Sequence, residues 1–237
     1  MATTVQKAPR PRKAKETSAR WKDALPSRED MQALKKSALI REAGRAFKVK
    51  GFHNTSLDEV AEALNVTKAA LYYYVKGKRE LLFETQSLAL DLGDVALEYG
   101  EAGKTGLDKL TRVLDRFVTL VTEDFVAQAF TVNLDDMLPE HQIIIRKRRR
   151  EFDRRLRTFI QQGMEDGSIA FCDPKIAVAW LMGAVNWIPH WYREGGEYGP
   201  QKIAQMFVSF STNGLAGPNK REPGGARRPR AAAPAAS

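Results

Sequence analysis

Helical periodicity runs through almost the whole chain and limits its possible folds more than any other feature. Between residues 28 and 215, apolar side chains recur three or four positions apart, and no sustained stretch alternates with the period of two typical of a strand. Pro and Gly lie mostly between the periodic segments, where they end helices. The pattern predicts an all-α protein with helices over about 28–50, 55–64, 67–74, 78–99, 107–124, 125–132, 139–164, 173–192 and 200–215.

The two ends of the chain carry the whole positive charge. Of the formal net charge of +9, residues 1–25 supply seven basic and two acidic residues, and residues 217–237 supply five and one, so the rest is neutral. Both ends contain Pro among Lys and Arg and few large apolar residues, a composition that favours disorder. They are interpreted as solubilising tails or as basic arms that add phosphate contacts to nucleic acid.

Several classes of protein are excluded by single features. One cysteine, Cys172, excludes a disulfide scaffold and is typical of a reducing cytoplasm. The longest apolar run, residues 176–185, is too short to span a bilayer, and the basic N-terminus lacks the apolar core of a secretory signal. His53, His141 and His190 share no metal-ligand spacing, and the sequence has no nucleophile signature or phosphate loop. We therefore expect a cytoplasmic protein that is not an enzyme, with no metal, cofactor or membrane.

Two short helices joined by a tight turn are predicted near the start of the body. The first begins at one of two overlapping capping boxes, Thr55 with Asp58 or Ser56 with Glu59. Asn65 follows it and tolerates the left-handed conformation that a tight turn needs. This arrangement is a helix-turn-helix, which is either a DNA-binding motif or a plain packing unit.

The second helix of the pair carries unusual residues for a solvated face. Thr67 caps it, Lys68 follows, and three successive tyrosines, Tyr72, Tyr73 and Tyr74, cannot all face one core. Tyrosine hydroxyls and a lysine at a helix N-terminus suit contacts to phosphates and base edges in a major groove. The motif therefore predicts binding to double-stranded DNA.

Residues 38–84 resemble the DNA-binding domain of TetR-family transcriptional regulators. The resemblance is carried by an ordered run: Phe47, Gly51-Phe52, Thr55-Ser56, Val60-Ala61, Asn65-Val66-Thr67-Lys68, Leu71-Tyr72-Tyr73-Tyr74-Val75, Lys78 and Glu80-Leu81-Leu82. It implies core positions for Leu71 and Val75. It implies DNA contacts by Thr55, Thr67, Lys68, Ala69, Tyr72, Tyr73, Tyr74 and Lys78. The chain departs from the family pattern at Asn65, where Gly is usual, and at Ala69-Ala70, which leaves only van der Waals contacts there.

The same resemblance implies a domain order: an N-terminal arm over 1–27, a DNA-binding domain over 28–85, a helical ligand-binding and dimerisation domain over 86–216, and a tail over 217–237. The last two helices are the expected dimer elements. Their apolar stripes are Ala177, Leu181, Ala184 and Ile188 in one helix and Ile203, Met206, Phe207 and Phe210 in the other. Both helices are apolar on more than one face, so these stripes fit an internal core as well as a dimer contact.

A further aromatic stripe in the C-terminal domain fits either a small-molecule cavity or a core. It gives eight candidate ligand-binding residues: Phe125, Phe130, Leu134, Trp180, Asn186, Trp187, His190 and Trp191. The run from Trp187 to Arg193, with Gly195-Gly196 after it, resembles a subgroup of the family that is linked to fatty-acid and steroid catabolism and senses acyl-CoA thioesters. Eight basic residues between 146 and 157 form either a salt-bridged surface or a site for the CoA pyrophosphate.

The resemblance as a whole implies a bacterial, nucleoid-associated homodimer that regulates transcription. It implies a repressor that a small hydrophobic effector, such as an acyl-CoA, releases from a palindromic operator. The alternatives are a ligand-independent architectural DNA-binding protein and a family member that senses a lipophilic, drug-like compound.

Overall fold

The computed structural model describes residues 26–122 and 133–217, and these residues are almost entirely helical. The helices are α1 (Arg28–Asn54), α2 (Leu57–Ala63), α3 (Lys68–Tyr72), α4 (Lys78–Glu101), α5 (Gly106–Val121), α6 (Pro139–Glu165), α7 (Pro174–Trp191) and α8 (Pro200–Leu215), with a 3₁₀ turn at Leu134–Asp136. The β-pairing found in these ranges is one isolated antiparallel bridge, between Ile169 and Ala216. The all-α prediction is confirmed. Within the same ranges, no helix is both long enough and apolar enough to cross a membrane.

Helix boundaries follow local signals. Gly51 leaves the helical conformation with φ of 80°, so the regular part of α1 ends where the sequence predicts. The helix α3 ends at Tyr72, earlier than predicted, because the Tyr74 N–H turns to the Leu71 carbonyl, three residues back. The helix predicted over 125–132 lies outside the described residues.

The chain divides into two compact units, Met1–Ala38 and Leu39–Ser237. In the first unit the described residues form the start of α1. The Ser27 hydroxyl accepts the Asp30 N–H and the Asp30 carboxylate accepts the Ser27 N–H, both at 3.0 Å. This reciprocal cap satisfies two N–H groups that a helix start otherwise leaves without partners.

The second unit contains two apolar clusters among its described residues. The first joins the part of α1 after residue 38 to α2, α3 and the start of α4, and it includes Leu71, Val75 and Leu82. The second joins the end of α4 to α5, α6, α7 and α8, around Phe117 and Phe159. Because α4 contributes to both clusters, this one continuous helix connects the helix-turn-helix with the C-terminal helices.

Close contact between α5 and α6 at Gly106 gives a stability prediction. A Cβ on Gly106 would overlap the backbone N and Cα of Gly163, and a backbone cannot yield as a flexible side chain can. We expect Gly106→Ala to lower the free energy of unfolding by about 2–3 kcal/mol, measured by chemical denaturation. Gly199→Ala is the control, because Gly199 has an ordinary φ of −75° and a Cβ added there would lie 4.0 Å from Gln201, which is an ordinary contact. The control should cost about 1 kcal/mol or less, and equal stability of the two variants would contradict the prediction.

Candidate functional site

The predicted helix-turn-helix is formed by α2 and α3. At the start of α2 the Ser56 hydroxyl accepts the Glu59 N–H at 3.1 Å, and the Glu59 carboxylate accepts the Ser56 N–H at 2.8 Å. The Lys50 ammonium also donates to this carboxylate, at 2.5 Å, and with the Ser56 N–H it lowers the pKa of Glu59 to about 2. Of the two possible capping boxes, Ser56 with Glu59 is therefore the one that forms.

The turn between the two helices has the predicted geometry. Asn65 adopts a φ of 53°, the left-handed conformation, and its N–H donates to the Glu62 carbonyl at 2.9 Å. The Thr67 hydroxyl accepts the Ala70 N–H at 3.3 Å and caps α3. Leu71 and Val75 are buried, which confirms the core positions expected for them. These contacts fix the direction in which α3 projects.

Five predicted DNA-binding residues lie together on the outside of α3. We call them the α3 surface: Thr67, Lys68, Ala69, Tyr72 and Tyr73. Tyr72 is 51% and Tyr73 67% exposed, too much for core residues. The Lys68 ammonium donates to the Asp58 carboxylate at 2.6 Å, and this hydrogen bond raises the pKa of Lys68. The surface thus presents one cation, hydroxyl groups and a methyl group.

The structure corrects the prediction for Thr55. Its side chain is 3% exposed, and its single O–H is shared between the carbonyls of Ala46, at 3.1 Å, and Gly51, at 2.9 Å. A buried hydroxyl whose proton is already engaged does not reach DNA in this conformation. Thr55 instead joins the end of α1 to the start of α2.

Tyr74 and Lys78 lie at the edge of the α3 surface and have structural contacts. Tyr74 is half-buried against the first apolar cluster. The Lys78 ammonium donates to the His53 carbonyl at 3.1 Å and lies 4.5 Å from the centroid of the Phe52 ring. Burial lowers the pKa of Lys78. Tyr74 therefore packs on the first apolar cluster, and Lys78 joins the start of α4 to the end of α1. Contact of these two side chains with DNA stays a prediction.

A cavity of about 210 Å³ lies in the C-terminal half of the second unit, between α4, α5, α6 and α7. Its lining consists of Ala89, Leu90, Gly93, Phe117, Arg149, Phe152, Asp153, Met182 and Asn186. Gly93 brings the backbone of α4 to the cavity wall, since a Cβ there would lie 3.1 Å from the Phe152 ring. Asn186 is the member of this lining that the sequence predicted. Arg149 belongs to the basic run that the sequence offered as a possible site for the CoA pyrophosphate. The sequence offered no signal for the apolar members, because they come from four separate helices.

The predicted tryptophans lie on an exposed face of α7 and not in the cavity lining. Trp180, Trp187 and Trp191 are 52%, 61% and 44% exposed. His190 is exposed as well, and its ring stacks on Trp187 with the centroids 4.1 Å apart. Leu134 is buried in the first apolar cluster. Phe125 and Phe130 lie outside the described residues.

Many of the basic residues on α6 have acidic partners. Arg148 pairs with Asp91 at 2.8 Å and with Asp94 at 2.6 Å, both on α4, and Arg155 pairs with Glu101 at 3.1 Å. Within α6 itself, Arg154 pairs with Glu151 and Arg157 with Asp153. This pairing is what the salt-bridged-surface alternative expects, and it fastens α6 to α4.

Comparison with known sequences supports the resemblance in both parts of the chain. Residues 39–85 match the model of bacterial regulatory proteins of the tetR family, and residues 103–215 match that of the tetracyclin repressor-like C-terminal domain. The HTH-type transcriptional repressor KstR2 of Rhodococcus jostii (strain RHA1) is 24% identical over 192 residues, which cover 78% of this chain and 93% of that protein.

Solved structures share the fold at low sequence identity. The ketosteroid transcriptional regulator KstR2 of Mycobacterium tuberculosis superposes with a TM-score of 0.70 at 16% identity, covering 77% of this chain and 95% of its own. AibR in complex with isovaleryl coenzyme A and operator DNA has a TM-score of 0.65 at 24% identity, covering 74% and 96%. The two family models together match about two thirds of the chain, and they show that it belongs to the TetR family of bacterial transcriptional regulators.

Proposed function

We propose that the chain is a homodimeric, ligand-responsive repressor that binds a palindromic operator. The α3 surface carries this proposal, because it is a capped helix with an exposed lysine and two exposed tyrosines held at a fixed angle by α2. A helix of this kind inserts into the major groove, and its side chains contact base edges and phosphates. The repressor relative from Rhodococcus jostii and the operator-bound AibR support the same assignment.

The dimer contact is assigned to one exposed apolar face. We call it the α7–α8 face: Ile176, Trp180, Trp187 and Trp191 on α7 and Phe210 on α8. The α7 members are spaced four, seven and four residues apart, which places them on one side of the helix. A contiguous exposed apolar area of this kind marks an interaction site, and a second copy would cover it symmetrically.

The domain division proposed is a DNA-binding part over 28–85 and an effector and dimer part over 86–216. The cavity lies in the second part and α4 begins in the first, so α4 is the proposed connection between effector and operator. The operator-bound AibR structure contains isovaleryl coenzyme A, and KstR2 is named for ketosteroids, which supports a small hydrophobic effector such as an acyl-CoA. Such an effector releases DNA only by binding the released state more tightly than the operator-bound state.

Selection of DNA from a random pool by the purified full-length protein tests the proposal. We expect enrichment of an inverted repeat with half-sites about one helical turn apart, bound by two copies of the chain. Enrichment of an unrepeated site, or protection of DNA without sequence preference, would contradict it. The second outcome would favour the architectural alternative.

A further inference from the structure

The size of the cavity limits what it can bind. An apolar cavity of 150 Å³ holds benzene, so a cavity of about 210 Å³ holds about eight non-hydrogen atoms. Leu90, Phe117, Phe152 and Met182 belong to its wall, and these side chains favour an aliphatic chain or a small ring. A sixteen-carbon chain would exceed this volume.

Arg149 gives the cavity a cationic group on its wall. The side chain extends from α6, and its Nη2 donates to Oε1 of Gln86 at 2.7 Å. Gln86 belongs to α4 and is buried. Burial also lowers the pKa of Arg149, although a guanidinium stays protonated in proteins. The guanidinium carries five N–H donors, and the acceptor that such a group binds most strongly is a carboxylate.

Asn186 adds a hydrogen-bond acceptor to the cavity wall. Its Oδ1 is buried and has no hydrogen-bond partner among the described residues. An unsatisfied buried acceptor is costly, so a ligand that donates an O–H or N–H to it gains affinity over one that does not. The cavity therefore combines an apolar wall with the guanidinium of Arg149, an acceptor from Asn186 and the carboxylate of Asp153, whose charge is paired with Arg157.

We propose that the effector is a compact acyl compound whose carboxylate or thioester carbonyl accepts a hydrogen bond from Arg149. Its acyl part has about eight non-hydrogen atoms, which the cavity volume accommodates, and carries a hydroxyl or amide N–H that donates to Asn186. This proposal rests on the proposed function and names the ligand class for the same domain. Arg149 also binds Gln86, so it links the effector directly to α4.

Release of the selected operator by a series of acyl compounds tests the size and the polar groups. The probes are acetyl, hexanoyl, 3-hydroxyhexanoyl and palmitoyl groups, each as the free acid and as the CoA thioester. We expect 3-hydroxyhexanoyl to release the operator at the lowest concentration and palmitoyl to require at least tenfold more. Each acyl group is present in both the free acid and the CoA thioester. Comparing the two forms therefore shows whether the effector is a carboxylic acid or a CoA thioester.

Variants test the residues. Arg149→Gln should raise the concentration needed for half-release at least tenfold, whereas Arg150→Gln, its exposed neighbour on α6, should not change it. Asn186→Leu should remove the preference for 3-hydroxyhexanoyl over hexanoyl. Ala89→Met fills the cavity from α4 and should abolish the response. This variant tests the same site if Arg149→Gln does not fold. Each response is compared with that variant's own operator affinity and melting temperature.

Three results would overturn the ligand assignment while operator binding persists. They are equal release by hexanoyl and palmitoyl compounds, an unchanged response in both Arg149→Gln and Ala89→Met, and no release by any probe. Failure of the unmodified protein to bind any operator would instead contradict the proposed function. The two failures are therefore distinguishable in one titration.

Discussion

Replacing Lys68 by Ala, or Tyr72 by Phe together with Tyr73 by Ala, is expected to weaken operator binding by about 30-fold or more. A base-edge or phosphate contact contributes about 1–3 kcal/mol, and a dimer on a palindrome loses the contact twice, which gives about 2–6 kcal/mol. The exposed Lys68–Asp58 pair does not oppose this role, because exposed ion pairs contribute little and the ammonium can move to a phosphate. Mobility-shift titration at fixed salt measures the loss.

Lys104→Ala is the matched control for this prediction. Lys104 is an exposed lysine beyond the far end of α4, a helix of 24 residues and therefore about 36 Å long. Its loss removes the same charge without touching the α3 surface. Lys68→Ala should also reduce the salt dependence of binding if the contact is to phosphate. Operator affinity equal to that of the control in both α3 variants would show that the α3 surface does not contact DNA.

Local features of the fold could be predicted because their causes lie within a few residues. The Ser56–Glu59 capping box, the left-handed Asn65 and the Thr67 cap each depend on side chains up to four positions away. The bounds of α8 agree with the prediction for the same reason, since Pro200 begins the helix directly. These features also specify the helix-turn-helix, so the α3 surface could be recognised from the sequence.

Features that depend on distant residues could not be predicted. Thr55 occupies a motif position that suggests DNA contact, yet its hydroxyl bonds to the carbonyl of Ala46, nine residues earlier. Arg149 and Gln86 are 63 positions apart, and only packing of α6 on α4 brings them together beside the cavity. A periodic pattern contains no information about such pairs.

The helix α7 illustrates a different limit, because it is apolar on two faces. The stripe with Ala177, Leu181 and Ile188 packs inside the second apolar cluster, and the stripe with Trp180 and Trp187 is exposed. Both stripes have the same helical period, so periodicity could not decide which of them faces inward. The stripe with Ala177 therefore matches the internal-core alternative. The tryptophans line neither the cavity nor the core that the sequence offered for them.

A charged residue placed on the α7–α8 face should have a large effect on dimerisation and on operator affinity. We expect Trp187→Asp to convert the proposed dimer to a monomer at micromolar concentration, because a two-fold contact would place each aspartate against an apolar surface of the partner. Trp187 is 61% exposed, so the monomer itself should keep its melting temperature to within a few degrees. Operator affinity should fall at least 100-fold, because two unlinked subunits no longer bind the half-sites as one unit.

Phe171→Asp separates loss of this face from a general effect of added charge. Phe171 is 98% exposed and lies before α7, outside the α7–α8 face. Sedimentation velocity should show a dimer for Phe171→Asp and a monomer for Trp187→Asp at equal concentration. A dimer in both variants would show that the partner copy does not cover the tryptophans, and the loss of operator affinity would then be absent as well. A monomer in both would contradict the specific assignment of the interface, since the two side chains share only their exposure and apolar character.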